Sequence, residues 1–152
     1  MPKPIPDEFR GATPMLAFRG AQQAIEFYQR AFGAVELFRL TDPQGTIVHA
    51  ELKIGEAVVM LAEEDPRYNR APQTLGGTSV ILNLYVTDVD AFVQRATAAG
   101  AQVVIPVADQ FYGDRSGRII DPFGYVWIIS THKEDVSSAE MQKRLNALYG
   151  MK

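Results

Sequence analysis

His49 and Glu51 stand two residues apart in IVHAELKI. In an extended strand both side chains then leave the same face, with their Cα atoms about 6 to 7 Å apart. A carboxylate beside an imidazole raises its basicity, which is what proton transfer to or from a carbonyl-type substrate requires. The same spacing also suits a structural pair, in which Glu51 orients His49 or meets Lys53 at a rim. The second histidine, His132, ends the apolar run VWIIST and fits either a ligand contact or a hydrogen bond to the loop at Lys133 and Glu134. Asp114 and Arg115 fall in YGDRSG, where the glycines suggest a loop. Their charges fit a clamp on a polar substrate group or an ion pair that orders that loop. There is no cysteine, so thiolate nucleophiles, disulfides and cysteine-ligated metals are excluded.

These residues are carried by a pattern that occurs twice. A strand, a helix closed by Gly33 and a hairpin over Gly55 return about 67 to 69 residues later as a strand, a helix closed by Gly100 and a hairpin over Gly124. Thr13 to Phe18 reads as the first strand. Ala21 to Phe32 places Ile25, Tyr28 and Phe32 at helical spacing. Strands follow at Val35 to Thr41 and Ile47 to Ile54, around the turn DPQG. The loop Gly55-Glu56 suits a type II′ turn and fixes a register that pairs Ile54 with Ala57, Leu52 with Val59 and Ala50 with Leu61. That face is wholly apolar and belongs under a helix. The other face carries His49, Glu51, Lys53, Val58 and Met60.

In the second copy, Ser79 to Val86 alternates Leu82, Leu84 and Val86 against Ile81, Asn83 and Tyr85. Asp88 suits the N-cap of a helix to Ala99. Strands are expected at Gln102 to Val107, about Arg118 to Asp121, and Val126 to Thr131. In the last, Trp127 and Ile129 face the helix while Ile128, Ser130 and His132 face away. The expected class is α+β: two βαβββ modules, about 12–63 and 78–132, whose curved sheets bound a cavity. A linker at 64–77 joins them within one domain over 1–152. The capping box Ser137-Ser138-Ala139-Glu140 opens a C-terminal helix over about 137–149.

Composition removes several classes of function. Net charge is −3, and Lys and Arg are scattered rather than gathered into a stripe, which argues against nucleic acid. MPKPIPDEF lacks the apolar run of a signal peptide, and no stretch reaches the ~20 apolar residues of a membrane span, so the expected location is cytoplasmic.

AIEFYQRAFGA at Ala24 to Ala34 and DPFGYVW at Asp121 to Trp127 resemble the first-helix and last-hairpin signatures of the vicinal oxygen chelate superfamily. This superfamily includes glyoxalases, bleomycin-resistance proteins, fosfomycin-resistance proteins and extradiol dioxygenases. IVHAELKIGEAVVML at Ile47 to Leu61 and GDRSGRIIDPFGYVWIISTHKEDV at Gly113 to Val136 are similar to its PhnB-like branch. The resemblance implies metal ligands on the first, fourth, fifth and eighth strands, at positions that fall here on Thr13, Met60, Ile81 and Ile128. Two isoleucines and a methionine do not make the donor set of a divalent first-row ion, so neither the usual metal nor any other cofactor is expected. The cavity face is then an apolar lining of Met15, Met60, Ile81 and Ile128. Its polar groups are His49, Glu51, Asn83, Tyr85, Ser130 and His132, with Tyr112 and Arg115 at the edge. Such a lining fits a small, partly apolar organic ligand. Three readings follow: a ligand-binding protein, a metal-independent isomerase or lyase using His49 and Glu51, and a drug-sequestering resistance protein. The resemblance and the apolar strip of Met141, Leu145 and Leu148 on the tail helix point to a homodimer.

Overall fold

The computed structural model describes residues 1–151. After a short 3₁₀ turn at Asp7–Phe9, the first module runs β1 (Met15–Phe18), α1 (Ala21–Phe32), β2 (Val35–Thr41), β3 (Ile47–Ile54) and β4 (Ala57–Glu63). Gly55 sits at φ +60 and among the described residues no non-glycine residue has positive φ, the type II′ pattern. The register follows from it: Ala50↔Leu61, Leu52↔Val59 and Ile54↔Ala57. Ala50, Leu52, Ile54, Val59 and Leu61 are all buried. Burying each of the larger side chains contributes roughly 2 kcal/mol, so a one-residue slip would forfeit most of the sheet's stabilisation. Gly20 has no side chain to cap α1. The carboxylate of Glu63 supplies the cap instead, accepting from the backbone N–H of Gly20 at 2.9 Å and of Ala21 at 2.7 Å.

The second module repeats the order with β5 (Ile81–Tyr85), α3 (Val89–Ala98), β6 (Gln102–Asp109), β7 (Asp114–Ile120) and β8 (Val126–His132). The sheet orders are β1-β4-β3-β2 and β5-β8-β7-β6, with β1 parallel to β4 and β5 parallel to β8. Asp88 caps α3 through the N–H of Ala91 at 3.0 Å. Two expectations are corrected. Only Tyr112 and Gly113 of YGDRSG lie in a turn, because β7 begins at Asp114 and pairs with β6 as far as Asp109. Gly117 belongs in that strand for steric reasons, since a Cβ there would lie 2.8 Å from Val107 Cγ2 and 3.2 Å from the Ile105 carbonyl oxygen. The linker, in turn, holds a short helix, α2 (Pro72–Leu75), whose Ala71 N–H and Thr74 hydroxyl are bound by Glu64.

The two modules meet through their helices and the β7–β8 hairpin. Phe18, Tyr28, Phe32, Phe123, Tyr125 and Trp127 form one aromatic cluster with ring centroids 4.9 to 6.5 Å apart. Asp121 lies buried inside it. Its carboxylate accepts from the Tyr28 hydroxyl, Trp127 Nε1 at 3.0 Å, and the backbone N–H of Phe123 at 2.9 Å and Tyr125 at 3.0 Å. Burial pushes the Asp121 pKa up, and these donors only partly offset it. The Tyr125 hydroxyl crosses to the first module, donating to the Ala17 carbonyl at 2.9 Å and accepting from the Ala17 N–H at 3.0 Å.

With helices and inner sheet faces turned together, the other sheet faces are open. Met15, Phe38, Leu40, Ile81 and Tyr85 all remain substantially exposed, so the two faces do not close over one another within a chain. The final helix, α4 (Ser138–Leu148), is capped by Ser137 and buries none of its residues. It is tied down by Arg144, which meets Glu134 and the Phe111 carbonyl. Among the described residues no helix is long and apolar enough to cross a membrane.

Candidate functional site

The expected site residues divide between the two open faces. Met15, His49, Glu51 and Met60 share the first sheet, where the ladders set Met60 between Met15 and Glu51. His49 Nε2 lies 3.3 Å from Glu51 Oε1, so the pair read from the spacing is formed. Both are largely shielded, at 26% and 14% side-chain exposure. The Phe38 ring packs 5.6 Å from the imidazole. One carboxylate at one ring nitrogen leaves the other nitrogen free to exchange a proton.

His132 is held differently. Its Nδ1 meets Asp114 Oδ1 at 2.8 Å and its Nε2 meets Asp135 Oδ1 at 2.9 Å, in place of the expected bonds to Lys133 and Glu134. The pKa is raised, by Asp114 first and Asp135 second. A carboxylate at each nitrogen favours the protonated ring, which alone can donate to both. The Tyr85 hydroxyl donates to the other oxygen of buried Asp114 at 2.6 Å, which raises the phenol's pKa.

Across the second sheet the ladder pairs Tyr85 and Ser116 with Ser130, Asn83 and Arg118 with Ile128, and Asp114 with His132. These residues therefore share one face, with Ser130 buried beneath it. A groove of about 550 Å³ is walled by Tyr85, Tyr112, Asp114 and His132, and by Val136, Ser137 and Met141 from the tail. A second cavity of about 140 Å³ is lined by Ile105, Gln110, Tyr112, Ser116, Arg118 and Ile128. Tyr112 walls both, and its hydroxyl lies 3.1 Å from Ser116 Oγ.

Arg115 is placed apart from the other expected site residues. It lies opposite Thr131 on the other face of β7, donating to Asp90 through Nε at 2.7 Å and Nη2 at 2.9 Å, and to Asp109 at 3.1 Å. It does not pair with Asp114. Arg118 is the residue that sequence reasoning missed. Its Nε is buried with no hydrogen-bond partner, a cost of about 1–3 kcal/mol for a neutral donor and more for a charged one. The signal was present: pairing Ile120 with Val126 over the Asp121–Gly124 turn places Arg118 beside Ile128, the same counting that placed Glu51 beside Met60.

The duplicated modules and their inner helices define a glyoxalase-like class of protein. The profile of the Glyoxalase/Bleomycin resistance protein/Dioxygenase superfamily matches residues 13–129, and the chain belongs to that superfamily. An uncharacterized protein of Mycobacterium bovis is 42% identical over 139 residues, covering 89% of this chain and 91% of its own. The crystal structure of TioX from Micromonospora sp. ML1 aligns with TM-score 0.63 at 30% identity, covering 84% of this chain and 99% of TioX. An Arabidopsis thaliana gene product aligns with TM-score 0.66 at 26% identity, covering 80% and 98%. The superfamily's usual metal positions do not fit a metal here. Thr13 precedes β1, while Met60, Ile81 and Ile128 bring a thioether and two hydrocarbons to the sheets. Among the described residues no three His, Cys, Asp or Glu side chains converge as a metal-binding group.

Proposed function

We propose that this protein binds a small, partly apolar organic molecule on the open faces of its sheets, without the superfamily's usual metal site. The observation that carries this is the groove of about 550 Å³ on the second sheet, where Tyr85, Tyr112 and His132 surround a space open to solvent. Asn83 and the neighbouring Ile81 and Ile128 supply the adjoining polar and apolar contacts. A second copy closes the open faces, which accounts for large apolar side chains left exposed on β1, β2 and β5. The segments Ile47 to Leu61 and Gly113 to Val136 support the PhnB-like branch.

The test is mass spectrometry of small molecules that co-purify with protein prepared without added metal, followed by affinity measurements on variants. Asn83→Ala and Tyr112→Ala should weaken binding of the recovered ligand while circular dichroism stays unchanged. Unaltered affinity in both variants would refute the site. A second reading, a metal-independent isomerase or lyase, is favoured by the 3.3 Å contact between His49 and Glu51. It requires His49→Ala to abolish turnover while leaving binding intact. A sequestering protein would instead return its ligand unchanged.

A further inference from the structure

Four arginines are half-buried, and three of them meet carboxylates: Arg39 pairs with Glu36, Arg115 with Asp90 and Asp109, and Arg144 with Glu134 and Glu140. Arg118, the fourth, meets none. Its Nε is the one buried side-chain nitrogen or oxygen without a partner among the described residues. On the ladders it stands between Ile105 of β6 and Ile128 of β8, so apolar side chains flank the guanidinium on both sides. Asp114, four residues earlier on the same strand, is already committed to Tyr85 and His132. No carboxylate lines the cavity of about 140 Å³ that Arg118 borders. Of the Tyr112 and Ser116 hydroxyls beside it, only one proton is used in the bond between them, which leaves the other to donate.

We infer that this cavity receives the carboxylate of a small organic monoacid, bound through Nε and one Nη of Arg118 with a Tyr112 or Ser116 hydroxyl as the flanking donor. The planar fork of a guanidinium matches a carboxylate in two parallel hydrogen bonds. One cation without a counter-charge calls for one negative charge. A dianionic phosphate would leave a second charge against Ile105 and Ile128. The space suits a compact group, since roughly 150 Å³ of cavity takes a benzene ring. Tyr112 walls both this cavity and the larger groove, so the acid's organic body extends toward Tyr85. The inference rests on the ligand-binding reading above and adds the ligand's charge and its anchoring residue.

The test uses the full chain labelled with ¹⁵N, benzoate as probe, benzamide as its neutral counterpart and inorganic phosphate as the dianion. The Arg118 Nε–Hε resonance, assigned by its loss in Arg118→Lys, should move on titration with benzoate. Benzoate should bind roughly ten- to a hundredfold more tightly than benzamide, the range expected of hydrogen bonds to a charged group. Arg118→Gln, matched to the parent by circular dichroism, should lose that preference. Equal affinity for benzoate and benzamide, tighter binding of phosphate, or a preference that survives Arg118→Gln would overturn the inference. If Arg118→Gln does not fold, the Nε–Hε resonance of the parent decides alone, and a resonance unmoved by benzoate refutes the site. Dissociation of dimers in Arg118→Gln with no benzoate response in the parent would assign the guanidinium to a neighbouring copy and also overturn it. A ligand recovered from the second sheet whose affinity ignores Arg118→Gln would sink this inference alone. No ligand on that face would sink both readings.

Discussion

Replacing Tyr125 by Phe tests how the two modules are joined. β1 is an edge strand of its sheet. The carbonyls of Pro14 and Phe18 accept from Met60 of β4 and from Glu64 just beyond it, so Ala17 has the opposite parity and presents its N–H and C=O at the free edge. Both are occupied by the Tyr125 hydroxyl, and Ala17 and Tyr125 are buried. Phe at position 125 keeps the ring 5.2 Å from Phe18 but removes both hydrogen bonds. An orphaned buried donor costs about 1–3 kcal/mol and the carbonyl adds to it, so a loss of about 2–4 kcal/mol is expected. For a chain of this length that corresponds to a fall in Tm of roughly 4–16 °C. Urea unfolding followed by Trp127 fluorescence should show a lower midpoint with an unchanged m-value. A loss below about 0.5 kcal/mol, the range of ordinary surface substitutions, would mean that water reaches the β1 edge and that the described seam is wrong.

Three further outcomes follow from the same geometry. The His132 pKa is raised above its ordinary 6.5, so the stability it contributes is fully present below that value and is lost as pH rises through the folded-state pKa. The midpoint difference between the parent and His132→Gln should therefore shrink as pH climbs from 6 through the alkaline side of neutrality, and a difference that grows would contradict the ion pairs. Gly117→Ala places a Cβ against the Ile105 carbonyl and Val107, so thermal unfolding should show a loss of about 1–3 kcal/mol; no loss would mean that β6 and β7 are further apart than described. Prolonged chelation should leave both Tm and ligand affinity unchanged, while a drop in either, restored by one equivalent of a divalent metal, would overturn the reading of Thr13, Met60, Ile81 and Ile128.

Much of the fold was legible because its determinants are local. Ala21 to Phe32 has an apolar stripe and a glycine stop, and the structure starts and ends that helix at those residues. Gly55-Glu56 allows one register, and the ladder adopts it. β7 was truncated in the sequence reading because Gly113, Ser116 and Gly117 have the composition of a loop. What makes Gly117 a strand residue is the approach of Val107 and Ile105, which is a tertiary fact. The partners of the charged residues were illegible for the same reason. Arg115 lies next to Asp114 in sequence, but alternation sends the two to opposite faces, one toward Asp90 on α3 and the other toward Tyr85 and His132.

The chemistry of the two faces is unequal in a way that constrains any catalytic reading. On the second sheet, His132 has a carboxylate at each ring nitrogen, Asp114 and Asp135, an arrangement that favours its protonated form over the free base. The unpaired cation, Arg118, is on that face too. On the first sheet, His49 has one carboxylate partner and one unengaged nitrogen, but the described ion pairs leave no free cation beside it. Lys53, four residues further along β3, is drawn to Glu56 at 3.1 Å. On the readings proposed above, proton transfer would draw on the first face and recognition of negative charge on the second, and the large apolar side chains left exposed on both show that they do not close over one another within one chain. A reaction that needs both must bring the first sheet of one copy over the second sheet of another, whereas binding alone needs only the second.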